Sequence, residues 1–499
     1  MSETHLRGEF TAVRAVRISI VVLALAAHAA IASAQAANGR KTSVDDHWVP
    51  TWGTAQQLIR TTPPAPPAGR GTNLVPAPAP SAGNAPAAAS SQPPAAGAAP
   101  SAAPAPAGAP PATRPTAAAP VAGGGRGGPP FRVTSIANQT VRMILRTSIG
   151  GRRARVRLSN AFGSDPVIVG AAHIARRAAD SSIVAASDRA LTFAGKPSIT
   201  MMPGVVVLSD PVDIEVPALS DLAVSLYFPE ETGSPTTHAT GLRPTYVSTE
   251  GDFSGRAELP LAGTTQQYYW LSSVEVSAPA EASAIVAFGD SITDGARSTP
   301  DTNNAWPALL AARLNANKAT ANIGVVNEGI GGNRLLTDAQ GLAGVNALAR
   351  LDRDVLSHPG VKWLMILEGI NDIGTLGAAT PPATPVTAES LIWALQQVID
   401  RAHAHGIKVV GCTLTPYEGA GYSRENGEVI RDAVNRWIRT SGAFDAVVDF
   451  EAATRDPNNP KRFRAEFDPG DHLHPNDAGY KAMADAIDLS IFSRKGSKK

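Results

Sequence analysis

After Pro279 the chain alternates short apolar runs with helical patterns, and that alternation leaves few folds open. "AIVAFGD", "IGVVNEG", "VKWLMILEG", "IKVVGCTL" and "DAVVDF" are short and mostly apolar, as strands buried on both faces of a parallel sheet must be. Between two of them Leu391, Leu395, Val398 and Ala402 recur at helical spacing, with Thr387 placed to cap the helix and Gly406 to stop it. The expectation is a doubly wound α/β domain over residues 282–495.

The preceding sequence follows a different rule. Residues 131–275 carry short runs such as "GVVVLSDPVDIEV" and "DLAVSLYF", broken by Pro, Gly and Asp, the pattern of a β-sandwich. "TVRMILRTSIGGRRARVRLSN" predicts a hairpin around Gly150 and Gly151. In its second run Arg153, Arg155 and Arg157 alternate with Ala154, Val156 and Leu158, which places the arginines on one face. A solvated face is the expectation for them, with a grip on an anionic polymer as the alternative. "DDHWVPTWGTAQQL" reads as one further strand, so the β domain is expected to combine residues 42–61 with 131–275.

The segment between them, residues 62–130, is almost entirely Pro, Ala, Gly and Ser, and holds close to half of the chain's 41 prolines. Too few large apolar side chains are present to offset the entropy of ordering it, so a disordered insertion is expected. At the N-terminus, Arg14 and Arg17 precede "ISIVVLALAAHAAIASA", which ends on an A-x-A-like site. Residues 1–34 therefore read as a secretory signal, and the protein as secreted or periplasmic. The run is shorter than the ~20 residues a membrane span needs. The single cysteine, Cys412, excludes an internal disulfide. A formal charge of +1 over 499 residues gives no reason to expect nucleic acid as a partner.

Ligands of open parallel sheets bind beyond the carboxyl ends of the strands. There the first strand runs into Asp290 and Ser291, the second into "NEGIGGNRLL", and the third into "EGIND". Singly, Ser291 could cap a helix, Gly331 and Gly332 could serve a tight turn, and Asn371 could close an Asx turn. Together they are parts of an acyl-transfer site, provided a base is at hand. "GDHLHP" offers two imidazoles. A turn there would let the Asp471 carboxylate fold back on His474, while His472 remains the alternative base. No nucleotide loop is present, His403 and His405 fall on different faces of a helix, and Asp290 and Asp294 are expected to hydrogen-bond locally.

"FGDSITDG", "NEGIGGNRLL", "GIND" and "GDHLHPNDAGY", in this order, resemble the four blocks of the GDSL (SGNH) hydrolase family. "WVPTWGTAQ", "VRLSNAFG", "TFAG" and "SDPV" resemble the accessory domain of an exported bacterial branch. The resemblance implies a flavodoxin-like three-layer α/β domain with a parallel sheet, preceded by an all-β sandwich-like domain. It implies a serine esterase or lipase with Ser291 as nucleophile, His474 as general base and Asp471 as its orienting partner. The oxyanion hole would comprise the N–H groups of Ser291 and Gly332 and the side-chain amide of Asn371. Gly331 departs from the serine many relatives carry there. No metal or cofactor is implied. The expected partner is a small-molecule or polysaccharide ester, the chain is expected to be a monomer, and no stable membrane insertion follows signal cleavage. The alternative is a polysaccharide-binding protein with a weak or inactive hydrolase domain.

Overall fold

The computed structural model describes residues 46–58, 133–378 and 384–493. The signal segment 1–34 and the Pro-rich insertion 62–130 lie outside the described residues. All described residues belong to one unit, in which β-rich and α/β parts share contacts.

Two larger antiparallel sheets carry most of the β-rich part. The first carries β1 (His47–Gly53), β3 (Gly151–Ser159), β5 (Val212–Val216) and β9 (Leu271–Ala278), in the order β1-β9-β3-β5. The second carries β2 (Gln139–Arg146), β4 (Ala171–Ala179), β6 (Asp221–Phe228), β7 (Thr245–Glu250) and β8 (Leu261–Thr265), in the order β8-β7-β2-β6-β4. Val141, Met143 and Leu145 of β2 share one apolar core with Ala154, Val156 and Leu158 of β3 and with Val274 and Val276 of β9. The alternation in the sequence is thus spent on burying one face of each sheet.

The hairpin expected at Gly150 does not form, because β2 and β3 lie in different sheets. Buried Thr51 of β1 explains the crossover: its carbonyl accepts the Ser148 N–H at 2.8 Å, and its hydroxyl donates to the Ile149 carbonyl at 2.6 Å. The chain is drawn toward β1 before β3 begins. Nor is the arginine row a solvated face. Arg155 and Arg157 both pair with the fully buried Glu275 of β9, at 2.6 and 2.9 Å, and their side chains are only 21% and 12% exposed. A sequence-distant carboxylate, directly across the strand pair from Arg155, converts the row into a cross-strand clamp.

The parallel sheet contains β10 (Ser283–Gly289), β11 (Ile323–Gly329), β12 (Val361–Leu367), β13 (Lys408–Cys412) and β14 (Ala446–Val448), in the order β11-β10-β12-β13-β14. The order reverses after β10, so the crevice at the carboxyl end of β10 is the topological switch point. The long helix before β13, Ala388–Ala404, starts at Thr387 in a capping box with Ser390 and buries Leu391, Leu395, Val398 and Ala402. Gly406 behind it has φ +69°. Spacing and punctuation in the sequence set this helix as expected.

Close backbone approach joins the two parts. A Cβ on Gly324 of β11 would stand 2.7 Å from the Pro50 carbonyl of β1, and one on Gly53 would stand 2.6 Å from Glu328 Oε1. Glycine at both positions lets β1 lie against the parallel sheet.

Candidate active site

Helix α1 (Ser291–Asp294) begins where β10 ends. Its N-cap is Asp290, whose Oδ1 accepts the Ile292 N–H at 2.9 Å. Capping duty therefore falls to the aspartate, and the serine hydroxyl is left for other work. Ser291 Oγ lies 2.8 Å from His474 Nε2. His474 Nδ1 lies 3.0 Å from Asp471 Oδ2. A carboxylate can only accept, so Nδ1 carries the proton and Nε2 is the nitrogen that accepts from the serine.

Asp471 reaches His474 because its Oδ1 accepts the N–H groups of Leu473 and His474, at 3.1 and 3.0 Å, and holds the turn. Arg297 Nε donates to Oδ2 at 2.8 Å. Burial alone would raise the Asp471 pKa, but the hydrogen bonds from the His474 ring and backbone prevail and hold it well below the usual carboxylate range. His472, at φ +58°, turns away and pairs with Asp468. It is not brought to Ser291.

Gly332 sits in the turn after β11 at φ +77°, a left-handed backbone that glycine adopts without strain. Asn371 closes no Asx turn. Its Nδ2 donates to the Asn333 carbonyl at 2.9 Å, and its Oδ1 accepts from the Tyr422 hydroxyl at 3.2 Å. With both ends of the amide engaged, its orientation is set and its second N–H remains a donor. Burial pushes the Tyr422 phenol well up, which keeps it protonated.

Several contributors carry no local signal in the sequence. Arg350 is fully buried and donates to the Gly289 carbonyl at 2.9 Å, the Glu328 carbonyl at 2.7 Å and Asn333 Oδ1 at 2.9 Å. One guanidinium thus ties the segments leading to Ser291, Gly332 and, through Glu368 at 3.3 Å, Asn371. In sequence it reads as one more arginine on a helix. Asp290 stays local as expected, with burial pushing its carboxyl up to about 7. Asp294 does not: it takes the Gly331 N–H at 3.2 Å and meets His238 of the β-rich part at 3.1 Å.

Among the described residues, no group of three or more His, Cys, Asp and Glu side chains could hold a metal ion. Among them no helix is long and apolar enough to cross a membrane. The arrangement can pass a proton from a hydroxyl to an imidazole beside a set of N–H donors.

No curated protein matches the chain. Solved structures similar to part of the chain include the acetyl xylan esterase AlAXEase, at 25% identity over 41% of this chain and 96% of that chain, TM-score 0.32. A GDSL-like lipase from Bacteroides thetaiotaomicron shares 19% identity over 42% of this chain and 87% of that chain, TM-score 0.31. The aryl esterase of M. smegmatis shares 17% over 42% and 99%, TM-score 0.34. Residues 287–482 match the GDSL-like Lipase/Acylhydrolase family. That match runs from the first parallel strand into the last helices, and with it the protein is an ester hydrolase.

Proposed function

We propose that the protein is an exported serine esterase that cleaves carboxylic esters through an acyl-enzyme on Ser291. The observation that carries this reading is the continuous hydrogen-bonded series from Ser291 Oγ through His474 to Asp471, at 2.8 and 3.0 Å. As the hydroxyl oxygen attacks the ester carbonyl, its proton passes to His474 Nε2, and Asp471 stabilises the imidazolium. The oxyanion that forms is met by the N–H groups of Ser291 and Gly332 and by the free N–H of Asn371. Collapse of the intermediate expels the alcohol, which leaves with the proton from His474. Water then repeats the sequence on the acyl-serine and releases the acid.

The layout of residues 1–34 supports export, and the strand order supports a flavodoxin-like three-layer reading of residues 282–495. The arginine row that a polymer-binding reading would use is engaged with Glu275 and Ser357. Acetylated polysaccharides, short-chain lipid esters and aryl esters are the substrate classes to compare. Hydrolysis of p-nitrophenyl acetate by the parent and by Ser291→Ala tests the reading. Loss of turnover in the variant supports it, and equal rates overturn it.

A further inference from the structure

Where the β-rich part meets the catalytic end of the parallel sheet stands a buried histidine. His238 lies in the short strand Thr237–His238, which pairs with Tyr268–Tyr269, and its side chain is 2% exposed. Its Nδ1 lies 2.7 Å from the Ala55 carbonyl and its Nε2 lies 3.1 Å from Asp294 Oδ1. Both ring nitrogens face oxygens that accept, the pattern of an imidazolium donating from each side. Burial by itself would lower the His238 pKa, but the Asp294 carboxylate outweighs it and the shift is upward.

Asp294 passes the connection on. It is the last residue of α1, the helix that Ser291 begins, and its second oxygen accepts the Gly331 N–H at 3.2 Å. Gly331 is bonded to Gly332. A carboxylate fixed at one oxygen by His238 is therefore fixed at the other against the Ile330–Gly331 peptide, which immediately precedes the Gly331–Gly332 peptide that carries the Gly332 N–H. Two glycines in succession give this turn little rigidity of its own, so an outside anchor matters here.

A second contact comes from the same side. Gln57 accepts the Ala239 N–H at 2.6 Å and donates from Nε2 to the Leu342 carbonyl. Leu342 precedes Ala343, whose Cβ is the nearest atom, at 3.2 Å, to where a Cβ on Gly332 would project. The glycine turn is thus braced from the β-rich part at Gly331 and again beside Gly332.

We propose that His238 is a positioning residue of the hydrolase: through Asp294 it holds the Gly331–Gly332 turn so that the Gly332 N–H points at the oxyanion. This rests on the reading of Gly332 as an oxyanion donor. The β-rich part is on this account a component of the active site, and catalysis depends on it even for a small ester that never touches it.

The test uses the full chain and p-nitrophenyl acetate. Removing an oxyanion donor outright costs about 100- to 1000-fold in rate, and a donor that is displaced rather than lost should cost less, about 10- to 100-fold. His238→Ala is expected to lower kcat by that amount with KM within about twofold, because the donor acts on the transition state and not on the bound ester. Affinity for a phenylboronic acid, whose adduct with Ser291 is tetrahedral, should fall in parallel with kcat. His238→Gln, which keeps a donor toward Asp294, should recover part of both. Unchanged kcat in folded His238→Ala, or a loss that follows only the folded fraction, overturns the proposal. Should His238→Ala not fold, His238→Gln and Gln57→Ala decide it by the same two readouts. Ser291→Ala run alongside separates the two claims: activity retained there sinks the esterase mechanism, whereas an inactive Ser291→Ala with a fully active His238→Ala sinks only the positioning role.

Discussion

Arg350→Met probes how the site is held together. The methionine fills much of the space of the arginine stem but offers no donor, so the carbonyls of Gly289 and Glu328 and the Asn333 Oδ1 lose partners now at 2.9, 2.7 and 2.9 Å. Asp354, at 3.2 Å from Arg350, keeps Arg353 at 2.8 Å, and burial pushes the Glu368 carboxyl well above its ordinary range. The stranded acceptors therefore dominate the cost. The Gly289 carbonyl keeps the Ile330 N–H at 3.0 Å, so two acceptors are stranded; at about 1–3 kcal/mol each, partly relieved by relaxation, they come to about 2–4 kcal/mol. At roughly 2–4 °C per kcal/mol, the Tm should fall by roughly 4–16 °C. Calorimetry measures the shift, and ester hydrolysis measured well below the new Tm reads the site. Loosening the tether under three catalytic segments should lower kcat by about 10- to 100-fold, since a misplacement of ~1 Å costs about 100-fold. A Tm within ~2 °C of the parent together with unchanged kcat would refute the role given to this guanidinium.

Three further outcomes follow from the same geometry. Asn371→Ala should lower kcat about 100- to 1000-fold with little change in KM, measured by steady-state kinetics, because the second N–H of the amide acts on developing charge and not on the bound ester. Asp471→Asn should lower kcat by on the order of 10⁴-fold by leaving His474 in the wrong tautomer, whereas His472→Ala, in the same assay, should stay close to the parent. Asp290 has its pKa raised from 3.8 to about 7 by burial, so its contribution to stability is fully present below pH 3.8 and is lost as the pH rises through 7. Asp290→Asn should therefore make the decline of Tm over that window shallower, and an unchanged slope in calorimetry would count against it.

What could be read from the sequence followed from how far apart the interacting residues are. The buried strands of the parallel sheet and the helix Ala388–Ala404 were legible because their burial is written in local periodicity and in caps such as Thr387. Ser291, Gly332, Asn371, Asp471 and His474 were marked by four short blocks, three of them at strand ends. Asp471 and His474 meet within a single turn. The hairpin at Gly150 was misread because Thr51, nearly a hundred residues earlier, captures Ser148 and Ile149. The arginine row was misread because its partner Glu275 arrives from β9. Arg350, Tyr422 and His238 stayed hidden for the same reason. Each works through contacts far along the chain, and no pattern around it distinguishes a buried anchor from an ordinary surface residue.

The claim on which the rest depends is that Ser291 forms the covalent intermediate. Treating the parent with a fluorophosphonate ester and mapping the product by peptide mass spectrometry tests this directly. A single adduct on the peptide that carries Ser291, absent from Ser291→Ala and strongly slowed in His474→Ala, is the expected result. Labelling of Ser291→Ala at the parent's rate, or an adduct on a different residue, would contradict the account.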